Sequence, residues 1–155
     1  MEEYIFKKVS ALVGKLRRHK KVEDYPAVCL LSDISASLTI LARAITGVAI
    51  TIATAERGGG WVGSTFFLPA HCSATGSVED NGMFYLFRVC FLASQKSLEL
   101  NWPPHQQHSV EESEVTSLSN ADVVLEKVFQ EFPSLIKFHS RMVDAGVYPW
   151  MLYGR

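Results

Sequence analysis

Five apolar residues, Leu31, Ile34, Leu38, Leu41 and Ile45, recur at intervals of 3, 4, 3 and 4. That period belongs to one face of an α-helix; a half-buried strand needs period two and has no use for it. Gly47 follows the last of them, where a helix end favours a left-handed residue. The spacing predicts a helix over residues 31–46, with Ser32 or Asp33 as its N-cap.

The same test places the other elements. Ile5, Val9, Leu12, Val13 and Leu16 predict an amphipathic helix over residues 2–20. Lys15, Arg17, Arg18, His19, Lys20 and Lys21 crowd its end, where cations suit the helix dipole, and Arg17 and Arg18 are candidate partner-binding residues. VAITIATA, residues 48–55, is β-branched and alternating, STFFLP (64–69) looks like its partner, and ERGGGWVG is the turn between them. The three glycines are not a phosphate loop, because no Lys-Ser or Lys-Thr follows and a strand comes next. Residues 70–82 read as a loop and 83–101 as a mostly apolar helix closed by Pro103-Pro104. A polar connection leads to a helix from about Asn120 to Phe132, broken by Pro133, and to a last helix, Ser134 to Ala145, ended by Gly146. The expected fold is mainly α, about five helices around a core with one β-hairpin over residues ~48–68, in a single domain spanning 1–155.

Composition narrows the function classes. A formal charge of −1 provides no field to gather nucleic acid or anionic lipid. Cys29, Cys72 and Cys90 are odd in number and sit in apolar or small-residue contexts, which suits buried thiols in a reducing cytosol. MEEYIFKK has no apolar signal-peptide core, and MFYLFRVCFLA (83–93) is too short to span a bilayer and carries Arg88. The expectation is a cytoplasmic protein with no nucleic-acid partner, no membrane insertion and no cofactor. VYPWMLYGR ends on aromatics with no tail, which reads as a chain cut short or as a terminus that packs back on the domain.

Asp33-x-Ser35-x-Ser37 has the spacing with which von Willebrand factor A (VWA) domains begin a magnesium site. Thr65 and Asp80 are available as further oxygen ligands, and magnesium requires such ligands in near-octahedral order. In a helix, at about 100° per residue, Ser35 points about 200° away from Asp33, so the three side chains do not converge. A divergent VWA-like domain binding magnesium through Asp33, Ser35 and Ser37 is the alternative reading. His105 and His108 have no carboxylate or thiol beside them. No serine, histidine or cysteine lies in a nucleophile context, and no catalytic residue emerges.

The order of landmarks resembles the N-terminal region of the NorD/CbbO-like family, the VWA-containing partners of MoxR-type AAA+ ATPases. The resemblance runs through LSDISASLTILARAITG with Arg43, Ala44 and Gly47, then a β segment, Leu68-Pro69, and Asn81 before FYLFRVCFLAS. VLEKVFQEFPSLIKFHSRMV completes it. Asn81-Gly82 replaces the family's Asn-Arg, and Thr46-Gly47 its Gly-Gly. The resemblance implies a non-catalytic adaptor or scaffold, with the VWA domain lying beyond these residues. Its partners would be a MoxR-type ATPase and a target enzyme of the nitric oxide reductase or Rubisco type. Arg57 and Trp61, at the glycine-rich tip, join Arg17 and Arg18 as candidate docking residues.

Overall fold

The computed structural model describes residues 27–101 and 106–154, together with Tyr4, Lys7 and Ala11. In chain order the elements are β1 (Cys29–Leu30), α1 (Leu31–Thr46), β2 (Thr51–Ala55), β3 (Gly60–Val62), β4 (Thr65–Pro69) and β5 (His71–Cys72). Four helices follow: α2 (Val78–Ser97), α3 (Val110–Glu131), α4 (Leu135–Asp144) and α5 (Pro149–Tyr153). The N-terminal amphipathic helix with Arg17 and Arg18 lies outside the described residues, except that Tyr4, Lys7 and Ala11 are helical and exposed.

Helix α1 has the span that its periodicity predicts, burying Leu31, Ile34, Leu38, Leu41 and Ala42. Gly47 closes it in the left-handed conformation at φ 67°. Its start differs from expectation. Neither Ser32 nor Asp33 caps it; the N-cap position is Leu30, with no side-chain bond. The pairing of β1 with β5 brings the carbonyl of Ala70 to the Leu31 N–H at 2.9 Å, so tertiary structure satisfies one of the donors that the first turn leaves without an intrahelical partner.

The mainly-α expectation is corrected to a mixed α/β fold: a two-stranded antiparallel sheet and a three-stranded sheet of order β2-β4-β3 join the helices. The hairpin is not the predicted one. β2 and β4 run parallel, Thr51 against Thr65 through Ala55 against Pro69, and β3 is the antiparallel partner of β4 on its other edge. The chain therefore crosses over the end of β4 between residues 56 and 59, and the close approach there is made by Gly58 and Gly59. Gly59 has φ +72°, and a Cβ on it would lie 1.9 Å from the carbonyl oxygen of Phe67. GWV is too short to reveal a period, so the sequence hides this third strand inside an apparent turn.

Helix α2 is the centre of the molecule. It is buried almost all round, from Phe84 through Gln95, as a helix without a solvent face must be. It begins at Val78 rather than near residue 83, because the Ser77 side chain accepts from the Asp80 N–H and caps it. Asn81, fully buried in its first turn, ties the preceding loop down. Its Oδ1 accepts from the Thr75 N–H at 3.0 Å, and its Nδ2 donates to the carbonyls of Thr75 and Ala27. Helix α3 starts at Val110 rather than near Asn120: Ser109 and Glu112 form a reciprocal capping box. Cys29, Cys72 and Cys90 are buried and form no disulfide, and burial pushes the Cys72 thiol up to about 11. No described helix is long and apolar enough to cross a membrane.

Candidate interaction surface

Arg88 organises the one region where the crossover loop, α2 and the C-terminal helix meet. It is fully buried on α2, and among the described residues no carboxylate pairs with it. Its Nη1 donates to the carbonyl of Leu152 at 2.7 Å and its Nη2 to the carbonyl of Gly58 at 3.2 Å. The guanidinium carbon stands 5.6 Å from the ring centre of Phe91, and its Nε has no partner. Burial pulls the group down to about 9, so at neutral pH it remains a cation held by carbonyl dipoles and a ring face.

Glycines make that approach possible. A Cβ on Gly154 would meet Arg88 Nη2 at 2.2 Å and the Gly59 carbonyl oxygen at 2.4 Å; one on Gly58 would meet the Trp150 carbonyl oxygen at 2.1 Å. The crossover loop and α5 are thus pressed together backbone to backbone, with the Arg88 fork beneath. The VYPWMLYGR segment packs back through Leu152, which is 1% exposed, and through Tyr153. Tyr153 stacks near Phe91, at 5.5 Å between ring centres, and its hydroxyl meets His139 Nε2 at 2.9 Å.

Pressed against this anchor, three side chains face solvent. Tyr148 is 64% and Trp150 38% exposed, and their rings stack at 6.1 Å with an interplanar angle of 14°. Arg57, immediately before Gly58, is exposed. Pro149 sets the first helical φ between the two aromatics. Tyr, Trp and Arg are the residue types that anchor protein interfaces, and a backbone already fixed by Arg88 lowers the ordering cost of binding.

The other sequence candidates are dispersed. Trp61 is half-buried on β3 against the core, with Lys96 Nζ 4.7 Å from its ring centre, so it helps the fold rather than presenting a free face. Asp33 and Ser37 are exposed and Ser35 half-buried around α1, and the helix fans them apart. Thr65 lies in β4, while Asp80 Oδ1 is paired with Arg141 at 2.7 Å. His108 is exposed and His105 lies outside the described residues. Among the described residues no group of three His, Cys, Asp or Glu is placed to hold a metal ion. Sequence reading passed over Arg88, Tyr148 and Trp150. The available signals were a lone charge inside MFYLFRVCFLA and an aromatic pair flanking a proline.

A second feature lies between the end of α2 and α3. Gln95 Nε2 donates to Ser117 Oγ at 3.3 Å, and Ser117 Oγ donates to the Tyr153 carbonyl at 3.2 Å, while Gln95 Oε1 has no partner. Gln95 and Ser117 line an open cleft of about 190 Å³ together with Glu99, Asn101 and Asn120. Glu99 stands at φ 55°, the one non-glycine with positive φ among the described residues. It closes α2: its N–H donates to the Lys96 carbonyl, and the next N–H, of Leu100, reaches back to Gln95.

The chain matches no family model, no curated protein and no solved structure. The reading of the surface therefore rests on its chemistry.

Proposed function

We propose that this protein is a non-catalytic adaptor or scaffold module that docks other proteins. The observation that carries the reading is the Arg57, Tyr148 and Trp150 surface, anchored from below by the buried Arg88 fork. Interface anchors of this composition contribute most when their backbone is rigid before the partner arrives. A MoxR-type AAA+ ATPase, with a target enzyme of the nitric oxide reductase or Rubisco type, is the partner that the order of sequence landmarks points to. The geometry by itself supports the broader statement, protein docking.

The test is binding of the whole chain to a MoxR-type ATPase ring by biolayer interferometry, with and without nucleotide. Trp150→Ala and Arg57→Ala should each weaken binding by about tenfold or more, the ~1.4 kcal/mol scale of an interface anchor. Wild-type binding that survives the double variant unchanged removes this surface from the proposal. No binding by the wild type removes the ATPase as partner.

A further inference from the structure

Cys29 and Cys72 are direct partners in the β1–β5 ladder, with Leu30 against His71 beside them. The bond from the Leu31 N–H to the Ala70 carbonyl continues the same register. Hydrogen-bonded and non-hydrogen-bonded pairs alternate along an antiparallel ladder, so Cys29 and Cys72 form a hydrogen-bonded pair. The Cα atoms of such a pair stand about 5.5 Å apart, and a disulfide spans about 4.4–6.8 Å. Directly opposed residues also project to one face of a ladder, so the two thiols share a side. That side is the core: Cys29 is 2% and Cys72 1% exposed.

Asn81 and Tyr85, one turn apart on α2, lie against the pair. Cys72 Sγ donates to Asn81 Oδ1 at 3.5 Å, and the Tyr85 hydroxyl donates to the Pro69 carbonyl at 2.8 Å. Burial holds that hydroxyl above its ordinary range, and Cys72 and Cys29 are near enough to push it the same way. Two sulfurs without a third His, Cys, Asp or Glu among the described residues do not make a metal site. Cys90 lies on α2, outside this ladder. The pair is interior and takes no part in the Arg57–Trp150 surface.

We infer that Cys29 and Cys72 are a thiol-oxidation site that closes, with hydrogen peroxide as oxidant, to a cross-strand disulfide. One thiolate attacks the O–O bond and becomes a sulfenic acid, and the departing hydroxide takes a proton and leaves as water. The opposed thiol then displaces the sulfenic hydroxyl as a second water, and the S–S bond forms. The two sulfurs lose two electrons, peroxide gains them, and both thiol protons end in water. A dithiol reverses the step by thiol–disulfide exchange, its own sulfurs becoming the disulfide. Burial keeps the Cys72 thiol protonated near neutral pH, so oxidation is slow and proceeds through local opening of a ladder only two pairs long. The new bond would close a loop from 29 to 72 that contains α1 and the whole three-stranded sheet, and so constrain the unfolded chain.

The experiment treats the full, folded chain with hydrogen peroxide, blocks the remaining thiols with iodoacetamide and maps the product by peptide mass spectrometry. The expected product is a peptide linked through Cys29 and Cys72, with the thiol count falling from three to one and recovering in dithiothreitol. The oxidised protein should melt about 5 °C or more above the reduced one, the scale of a typical disulfide in a chain of this size. Cys29→Ser should lose both the link and the shift, and Cys90→Ala should keep both, with circular dichroism checking that each variant is folded. Where a variant does not fold, the wild-type peptide map decides. A link through Cys90, a link between two chains, or sulfinic acid at Cys29 or Cys72 in place of a link would each overturn the site. So would thiol loss that requires denaturant, or a linked protein that melts below the reduced one.

Discussion

Arg88 on the central helix donates from Nη1 to the carbonyl of Leu152, 64 residues later in the chain, across 2.7 Å. A guanidinium without a carboxylate partner is a costly group to bury, so what it holds together has to compensate. It holds the crossover loop through Gly58 and the C-terminal helix through Leu152.

Arg88→Ala should therefore do more than leave a cavity. It strands the Leu152 and Gly58 carbonyls, and with lost packing the cost should be about 3 kcal/mol or more. Thermal unfolding would show a fall of about 6–12 °C for a chain of this size. Arg88→Lys keeps the charge but loses the planar fork and should fall between the two proteins. An unchanged midpoint in the alanine variant would mean that the fork does not secure α5.

Two of the left-handed helix ends, Gly47 and Glu99, should respond with opposite signs. Gly47 has no heavy atom within 4 Å of where a Cβ would stand, so Gly47→Ala tests φ alone and should cost about 1 kcal/mol. Glu99 already bears that strain, and Glu99→Gly should raise stability by up to about 1 kcal/mol. Urea midpoints on the two variants would check this pair of signs.

Asn81 is fully buried and uses both ends of its amide. Asn81→Leu keeps the branched shape with a bulkier end, and orphans the Thr75 N–H and the carbonyls of Ala27 and Thr75, at about 1–3 kcal/mol for each group left unsatisfied. The expected result is a destabilised protein in which hydrogen exchange accelerates first at residues 72–77, the loop that the amide holds. Uniform acceleration along the chain would show that the loop has no separate dependence on Asn81.

His139 gives the pH dependence. Burial among Phe87, Phe129 and Tyr153 holds its imidazole below the ordinary value of 6.5. The unfolded chain then takes the proton first as pH falls, so the stability present above about pH 6.5 is lost as pH drops through the folded value. His139→Phe keeps a ring against its neighbours and cannot titrate. Unfolding curves between about pH 7.5 and pH 5 should show the wild type losing more stability than the variant. Parallel curves would remove His139 as the cause.

Helix α1 was legible because its code is local: five apolar residues at helical spacing and a glycine at the end. The starts of α2 and α3 were also written locally, in Ser77-x-x-Asp80 and Ser109-x-x-Glu112, although the polar stretches around them read as connections. The central position of α2 followed from its lack of a polar face. These are near-neighbour properties, set by hydrogen bonds and burial within one or two turns.

The sheet and the interaction surface are different in kind. Nothing within residues 60–62 tells that GWV will pair with β4, or that β2 will lie parallel to β4 rather than fold back on it. That choice depends on whether a crossover can pass Phe67, which Gly59 permits by lacking a Cβ. Arg88 likewise looked like an interruption in an apolar run until the chain brought Gly58 and Leu152 to its two nitrogens. The sequence alone settled the helical segments whose stabilising contacts lie close along the chain. Tertiary structure decided strand pairing, the role of the buried cation and the exposure of Tyr148 and Trp150, because each depends on groups that meet only after the chain has closed on itself.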